Sequence, residues 1–339
     1  MNFLQYFLRR VLLVIPILLG ITMMAFLIAN LIPADPIIAN LPANALNDED
    51  TIAAFRKKWG LDKPLHEQYL TYLGNLLQGD MGTSIKTRKP VGEDISRRLP
   101  ATIELATFGI ILGILLGVGL GLVSAIWQDS WADNLARVIA LIGVSFPVFL
   151  TGLILLNVLY VQLEIAEGPG RLDFIMRPPP NVTGMFTVDA LLAGDRKTFV
   201  NAFNHLVLPA LTLALYISGI ISRITRSSLL EVLNQDYMRT ARAKGLRERY
   251  VIGFHGMRNA LIPIVTVIGL SYGNLLVGSI LIEQIFAYPG IGSYTFRAST
   301  SQDFPAIMGV SLLFAFIYVG VNFVVDILYF FIDPRIRVA

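Results

Sequence analysis

The sequence predicts an all-α polytopic membrane protein with six transmembrane helices, cytoplasmic N and C termini and a small external α-helical subdomain between helices 1 and 2. Three observations carry that prediction. The 339 residues are 55% hydrophobic and only 15% charged, with a mean hydropathy of +0.64, too apolar for a chain that must keep a wet surface. Six apolar runs are each long enough to cross about 30 Å of hydrocarbon at about 1.5 Å per residue. The cations gather in one loop between runs, as the positive-inside bias requires.

Arg9 and Arg10 precede the first run, Val11 to Ile32. It exceeds the apolar core of about 7–15 residues in a cleaved signal peptide, and no Ala-x-Ala cleavage pattern follows, so an uncleaved anchor over residues 1–32 is expected. Pro16 is tolerable there because neighbours in a membrane bundle satisfy the freed carbonyl. Residues 33–99 form a polar stretch opened by Ile32-Pro33-Ala34-Asp35-Pro36. Within it, Asp48 or Asp50 can cap a helix carrying Ile52, Phe55 and Trp59 and closed by Gly60. Pro64 can open a second helix, with Leu65, Tyr69, Leu73 and Leu76, closed by Gly79. These two amphipathic helices either pack on the membrane domain or touch substrate.

The membrane domain proper is expected over residues 100–339. Span two, about Ala101 to Ile126, carries Gly109, Gly113 and Gly117 on one helical face, which signals close helix packing. Span three, roughly Val138 to Leu163, is broken by Ser145-Phe146-Pro147. The stretch from Glu164 to Asn204, with Pro178-Pro179-Pro180, reads as external and irregular. Span four covers about Leu206 to Ile224, span five Ala260 to Ile282 and span six Ala306 to Ile332. The loop from Arg223 to Arg258 holds eight Lys/Arg against three acids, while Glu283 to Pro305 holds only Arg297. The eight-cation loop and both termini are therefore expected to be cytoplasmic. Pro33 to Leu99 also carries nine Lys/Arg, balanced by nine acids, and loops of that length escape the rule.

Several chemistries are excluded at this level. Without cysteine there are no disulfides or thiolate metal sites, and His66, His205 and His255 are scattered along the chain with no HExxH pattern, so no metal site is expected. A net charge of +3, gathered in one loop, argues against nucleic acid. No Gly-x4-Gly-Lys-Ser/Thr occurs, so the chain has no P-loop to cradle ATP phosphates.

The polar loop 223–259 holds the most informative stretch. Asp236 is placed to cap a helix from Tyr237 to Lys244, and Gly245 is a natural terminator. Ala241 and Ala243 keep that helix slim enough for a partner's backbone to approach. Arg239, Arg242 and Lys244 offer cations to a partner's carboxylates or to lipid phosphates.

Arg239-Thr240-Ala241-Arg242-Ala243-Lys244-Gly245-Leu246, with His255, Asn259, Ala260 and Pro263 downstream, resembles the coupling segment of ABC-importer membrane subunits of the dipeptide/oligopeptide/nickel permease family. The general Glu-Ala-Ala-x3-Gly signature is kept at Ala241 and Gly245, and Pro263 lies farther from the glycine than in that pattern. The resemblance continues through Gly79-Asp80-Met81-Gly82-Thr83-Ser84, Arg223-Ile224-Thr225-Arg226, Glu283-Gln284-Ile285-Phe286, Pro289-Gly290-Ile291-Gly292 and Asp333-Pro334-Arg335-Ile336-Arg337, and so covers essentially the whole chain. Its long first external region looks like the B-type partner. The resemblance implies a permease of the bacterial inner membrane that forms half of a peptide pathway with a homologous C-type permease. It also implies two ABC ATPase subunits that hold ATP and magnesium, an extracytoplasmic peptide-binding protein, and no cofactor on this chain. Residues 239–246 would then receive the ATPase, the bland alternative being contact with lipid headgroups.

Polar residues inside spans face a pathway or another helix. Thr266, Ser271 and Asn274 in span five are the pathway candidates. Asp326 lies near one end of span six and fits pairing with a basic loop residue. The same framework would serve glutathione or nickel. An ATP-independent secondary transporter is a different class, and would need mid-membrane ion-coupling carboxylates that the spans lack.

Overall fold

A computed structural model describes residues 3–31, 48–59 and 63–332. Among them the regular secondary structure is all helical, with one isolated antiparallel bridge between Thr83 and Pro90. The helices, in chain order, are α1 (Phe3–Leu31), α2 (Glu49–Trp59), α3 (Leu65–Leu77), α4 (Val91–Ile126), α5 (Trp131–Ser145), α6 (Val148–Gln162), α7 (Phe186–Leu192), α8 (Arg196–Leu233), α9 (Asp236–Ala243), α10 (Glu248–Gly278), α11 (Ile280–Ile285), α12 (Ile291–Thr300) and α13 (Phe304–Ile332).

Four of them, α4, α8, α10 and α13, are long and apolar enough to cross a bilayer, and the bent pair α5–α6 makes a fifth if taken as one crossing. The remaining expected span is α1, whose described apolar stretch, Leu12–Leu27, is shorter. The break expected at Ser145-Phe146-Pro147 is a bend of 101°. Its cause is local: proline forces the preceding residue out of the helical region, and Phe146 is extended at φ −91°, ψ 138°.

Helix α8 is the centre of the bundle, and its contact with α4 is the most extensive between any two helices. The glycine stripe of α4 meets every fourth residue of α8. A β-carbon on Gly113 would meet Ile217 at 3.2 Å, one on Gly117 would meet Ile221 at 2.7 Å, and one on Gly121 would meet Thr225 at 2.6 Å. Gly119, off the stripe, faces open space. The backbones lie too close for any side chain on that face, so the stripe is a packing device, as its spacing predicts.

Hydropathy undercounts the long helices. Helix α4 begins ten residues before its apolar run and passes unbroken through the 99/100 domain boundary; its first turns, with Val91 and Ile95, pack on α12 and α13. Helix α8 likewise starts at Arg196, where the Asp195 carboxylate accepts from the Thr198 amide at 3.1 Å. Hydrogen bonds from Thr198 hold that carboxyl below its ordinary range. The stretch 164–204, expected to be irregular, therefore contains α7 and the first turns of α8. In the small subdomain, Asp48 does cap α2, accepting from the Asp50 amide at 3.2 Å, and Gly79 ends α3 at φ +83°. Tyr69 of α3 reaches α1, its hydroxyl 3.1 Å from Thr22 and its ring 5.4 Å from Phe26. Ile32 to Pro36, Gly60 and Asp333 to Arg337 lie outside the described residues.

The stretch 283–305, left between spans five and six by the sequence, holds the end of α11 and all of α12, folded into the bundle. Glu283 is fully buried and accepts from Thr102 Oγ1 at 2.7 Å, Ser279 Oγ at 3.0 Å and the Ser293 amide at 2.8 Å. Gly290 and Gly292 are not in the left-handed region; the positive φ in this turn belongs to Ala287 at 47°. The glycines are required by crowding, because a β-carbon on Gly290 would collide with Thr102 and Glu283. A second buried carboxylate, Glu104 of α4, accepts from Arg171 Nη2 at 2.6 Å, Tyr288 Oη at 2.9 Å and the Thr187 amide at 2.7 Å. It ties the α6–α7 segment and the α11–α12 turn to α4.

Candidate functional site

The stretch singled out by sequence forms α9, a short helix seated at the C-terminal end of α8. Gln235 occupies the N-cap position and no side chain caps the amides there. Asp236, expected to be the cap, is the first helical residue; it complements the positive helix start as a charge and lies 3.6 Å from Arg239. Gly245 follows the last turn at φ +77°, the left-handed terminator that its position predicts.

Three attachments seat α9. Met238 and Ala241 are buried and form a small core with Val251, packed by Val232 and Leu233. The Tyr237 hydroxyl accepts from Asn259 Nδ2 at 2.8 Å. Arg242 makes a fork onto Glu248, Nε lying 3.2 Å from both carboxylate oxygens and Nη2 2.8 Å from Oε1. Those hydrogen bonds raise Arg242 further above its ordinary range, so it is a fixed cation.

This seating divides the eight predicted contact residues. Arg239, Thr240, Ala243, Lys244, Gly245 and Leu246 are exposed and available to a partner. Ala241 is turned inward, so its small size serves the seat and not a partner's approach; of the two alanines, only Ala243 is exposed. Arg242 is exposed but committed to Glu248. The reason is helical geometry: Met238 and Ala241, three apart, share one face, and that face is the apolar one.

Sequence reading missed the apolar part of this surface. Tyr250 and Phe254 are exposed and stacked, ring centroids 5.2 Å apart, with the His255 ring edge-on to both and Arg258 5.9 Å from Phe254. They lie beside the α9 seat along the first turns of α10, which include a π-helical turn over Val251–Gly256. Aromatics four apart in a polar loop were the available signal.

The three pathway candidates on α10 differ in exposure. Ser271 is buried, Asn274 is exposed, and the half-buried Thr266 returns its hydroxyl to the Ile262 carbonyl at 2.7 Å. Tyr272 pairs with Thr107 of α4 at 2.9 Å.

An all-helical bundle of apolar helices, with one polar helix docked at its end, defines a multi-pass membrane protein. The chain belongs to the family described as binding-protein-dependent transport system inner membrane component, which matches residues 109–338, with the N-terminal component of that family matching residues 3–106. It is 44% identical over 317 residues to the probable D,D-dipeptide transport system permease DdpB of Escherichia coli K12, covering 94% of this chain and 93% of that one. It is 41% identical to the di/tripeptide permease DppB of Pseudomonas aeruginosa UCBPP-PA14, over 98% of this chain and 99% of the other. It is 40% identical to the glutathione permease GsiC of Salmonella typhimurium LT2, with the same coverage. Among solved structures, an inward-facing form of the MetNI methionine ABC transporter shares the fold at a TM-score of 0.51 and 14% identity, covering 70% of this chain and 96% of that one. The resemblance to B-type dipeptide permeases is borne out.

Proposed function

We propose that this chain is the permease subunit of a binding-protein-dependent ABC importer for di- and oligopeptides, forming half of the translocation pathway and coupling it to separate ATPase subunits. It sits in the bacterial inner membrane with six spans, α1 and the α5–α6 pair included, and with α9 and both termini on the cytoplasmic side. A homologous C-type permease completes the pathway, two ABC ATPases hold ATP and magnesium, and an extracytoplasmic binding protein delivers the peptide. The observation that carries this reading is α9 itself: a helix whose inner face is sealed by Met238 and Ala241 and whose outer face offers Arg239, Ala243, Lys244 and Leu246, in a chain without a P-loop. A second element that binds two partner conformations differently is what alternating access requires, and a helix held by only a few contacts can follow such a partner.

The relatives named for dipeptides support a peptide substrate. The relative named for glutathione, itself a tripeptide thiol, keeps that cargo as the second reading. The test is co-expression with the neighbouring ATPase and binding-protein genes. Arg239→Glu with Lys244→Glu should abolish ATPase co-purification while leaving the permease's own thermal melt unchanged. Retained co-purification with normal peptide-stimulated hydrolysis would remove α9 from the docking role. The ligand that saturates the binding protein, dipeptide or glutathione, decides the cargo.

A further inference from the structure

Near the N-terminal end of α8, opposite the end that leads into α9, three side chains from separate stretches converge. Glu167 and Asp173 come from the segment between α6 and α7, and His205 comes from α8; one donor atom from each lies within 4.8 Å of the others. His205 is buried at 4% exposure. Its Nδ1 lies 3.0 Å from the Asn201 carbonyl oxygen, which can only accept, so Nδ1 carries the hydrogen. In the neutral ring this leaves the Nε2 lone pair free, and Nε2 faces Asp173 Oδ1 at 3.6 Å. A lone pair turned toward carboxylate oxygens repels them unless a positive charge lies between.

Both ligands are also oriented from behind. Asn201 Nδ2 donates to Asp173 Oδ2 at 2.6 Å, and the Asp173 amide donates back to Asn201 Oδ1 at 3.0 Å, which leaves Oδ1 to face the imidazole. A histidine whose second nitrogen is fixed on a carbonyl and a carboxylate held by an amide are the outer supports that metal ligands carry. Asp173 is exposed and, with Asn201, borders an open cavity of about 950 Å³, so this ligand is reached from solvent.

The geometry points to a divalent transition-metal site of the zinc class, with His205 Nε2 and the Glu167 and Asp173 carboxylates as ligands and water completing the shell. An imidazole with two carboxylates suits zinc better than the all-oxygen shells of calcium or magnesium. Donors on one such ion, each about 2.0–2.2 Å from it, stand about 3–4 Å apart, so modest rotation of the exposed Asp173 closes the set. The bound ion clamps the 167–173 segment to α8. Sequence spacing concealed the site, because 31 residues lie between Asp173 and His205 and no local motif joins them.

The test uses the full-length untagged chain in detergent, stripped with EDTA and dialysed. Cobalt(II) should give visible d–d absorption bands at one equivalent, displaced by zinc, and zinc should raise the thermal melt. Asp173→Asn and His205→Gln should each weaken cobalt binding at least about tenfold while the metal-free melt stays cooperative. If His205→Gln fails to fold, Asp173→Asn at its exposed position decides. Absence of cobalt bands in the unaltered chain overturns the proposal. That result would leave a charged His205 paired with Asp173 without metal; equal cobalt binding by Asp173→Asn overturns the proposal too, and would mean an adventitious ion only, on other surface groups.

Discussion

Met238→Ala tests whether α9 is a separately held device. Met238 has no exposed surface, and truncating a buried methionine costs about 2–5 kcal/mol. Its cluster is small and lies at the end of the bundle, so partial collapse places the cost near about 2 kcal/mol. The other two holds are weaker. The Tyr237–Asn259 hydrogen bond contributes about 1 kcal/mol. The Arg242–Glu248 pair, 40% and 55% exposed, contributes about 0.2–1 kcal/mol. Met238 is thus the largest single attachment, and its loss raises the unseated fraction of α9 by about thirtyfold. Hydrogen exchange of the amides of residues 239–245, in nanodiscs, reads that fraction directly, with the amides of α4 and α8 as internal reference. The expected result is about thirtyfold faster exchange confined to α9, together with reduced peptide-stimulated ATP hydrolysis. Equal acceleration across the bundle would show that α9 is no separate unit. Unchanged exchange with lost stimulation would show that Met238 acts by contact with a partner and not as a seat.

Other outcomes follow from the same contacts. Gly117→Leu drives a side chain into Ile221 and the Ser218 carbonyl, both within 3 Å of its β-carbon. It should destabilise the bundle by about 1–3 kcal/mol, whereas Gly119→Leu, facing open space, should melt as the unaltered chain does. Glu104→Gln leaves Arg171 buried without its counter-charge, a loss of about 3–5 kcal/mol, and Glu104→Gln with Arg171→Met should recover part of the thermal stability. Burial pushes the Asp189 carboxyl up, but hydrogen bonds from Thr183, Gly184 and Val182 outweigh it, so the folded group titrates below 3.8, its unfolded value. Its contribution is therefore complete above that value and is lost as pH falls through the folded pKa. Melts of Asp189→Asn and the unaltered chain should be fully separated above about pH 4 and converge as pH falls through the folded pKa.

The sequence by itself determined the class of the protein. Six apolar runs, a glycine every fourth residue in α4, a proline break at 147 and a terminating Gly245 are all local statements. Hydropathy, helical spacing and backbone restriction act over a few residues, so they are legible without a fold. The short polar helix α9 was legible for the same reason. What only the tertiary structure decided is which way each side chain faces. Ala241 is part of a seat because Met238 and Val251 happen to meet it. Ser271 is buried and Asn274, three residues on, is exposed, because α4, α8 and α13 cover only part of the α10 surface. Glu283, read from sequence as a loop residue, is buried because Thr102, Ser279 and Ser293 converge on it from three elements. His205 acquires Asp173 and Glu167 in the same way, since close approach between distant residues is set by packing and leaves no periodic trace in the chain.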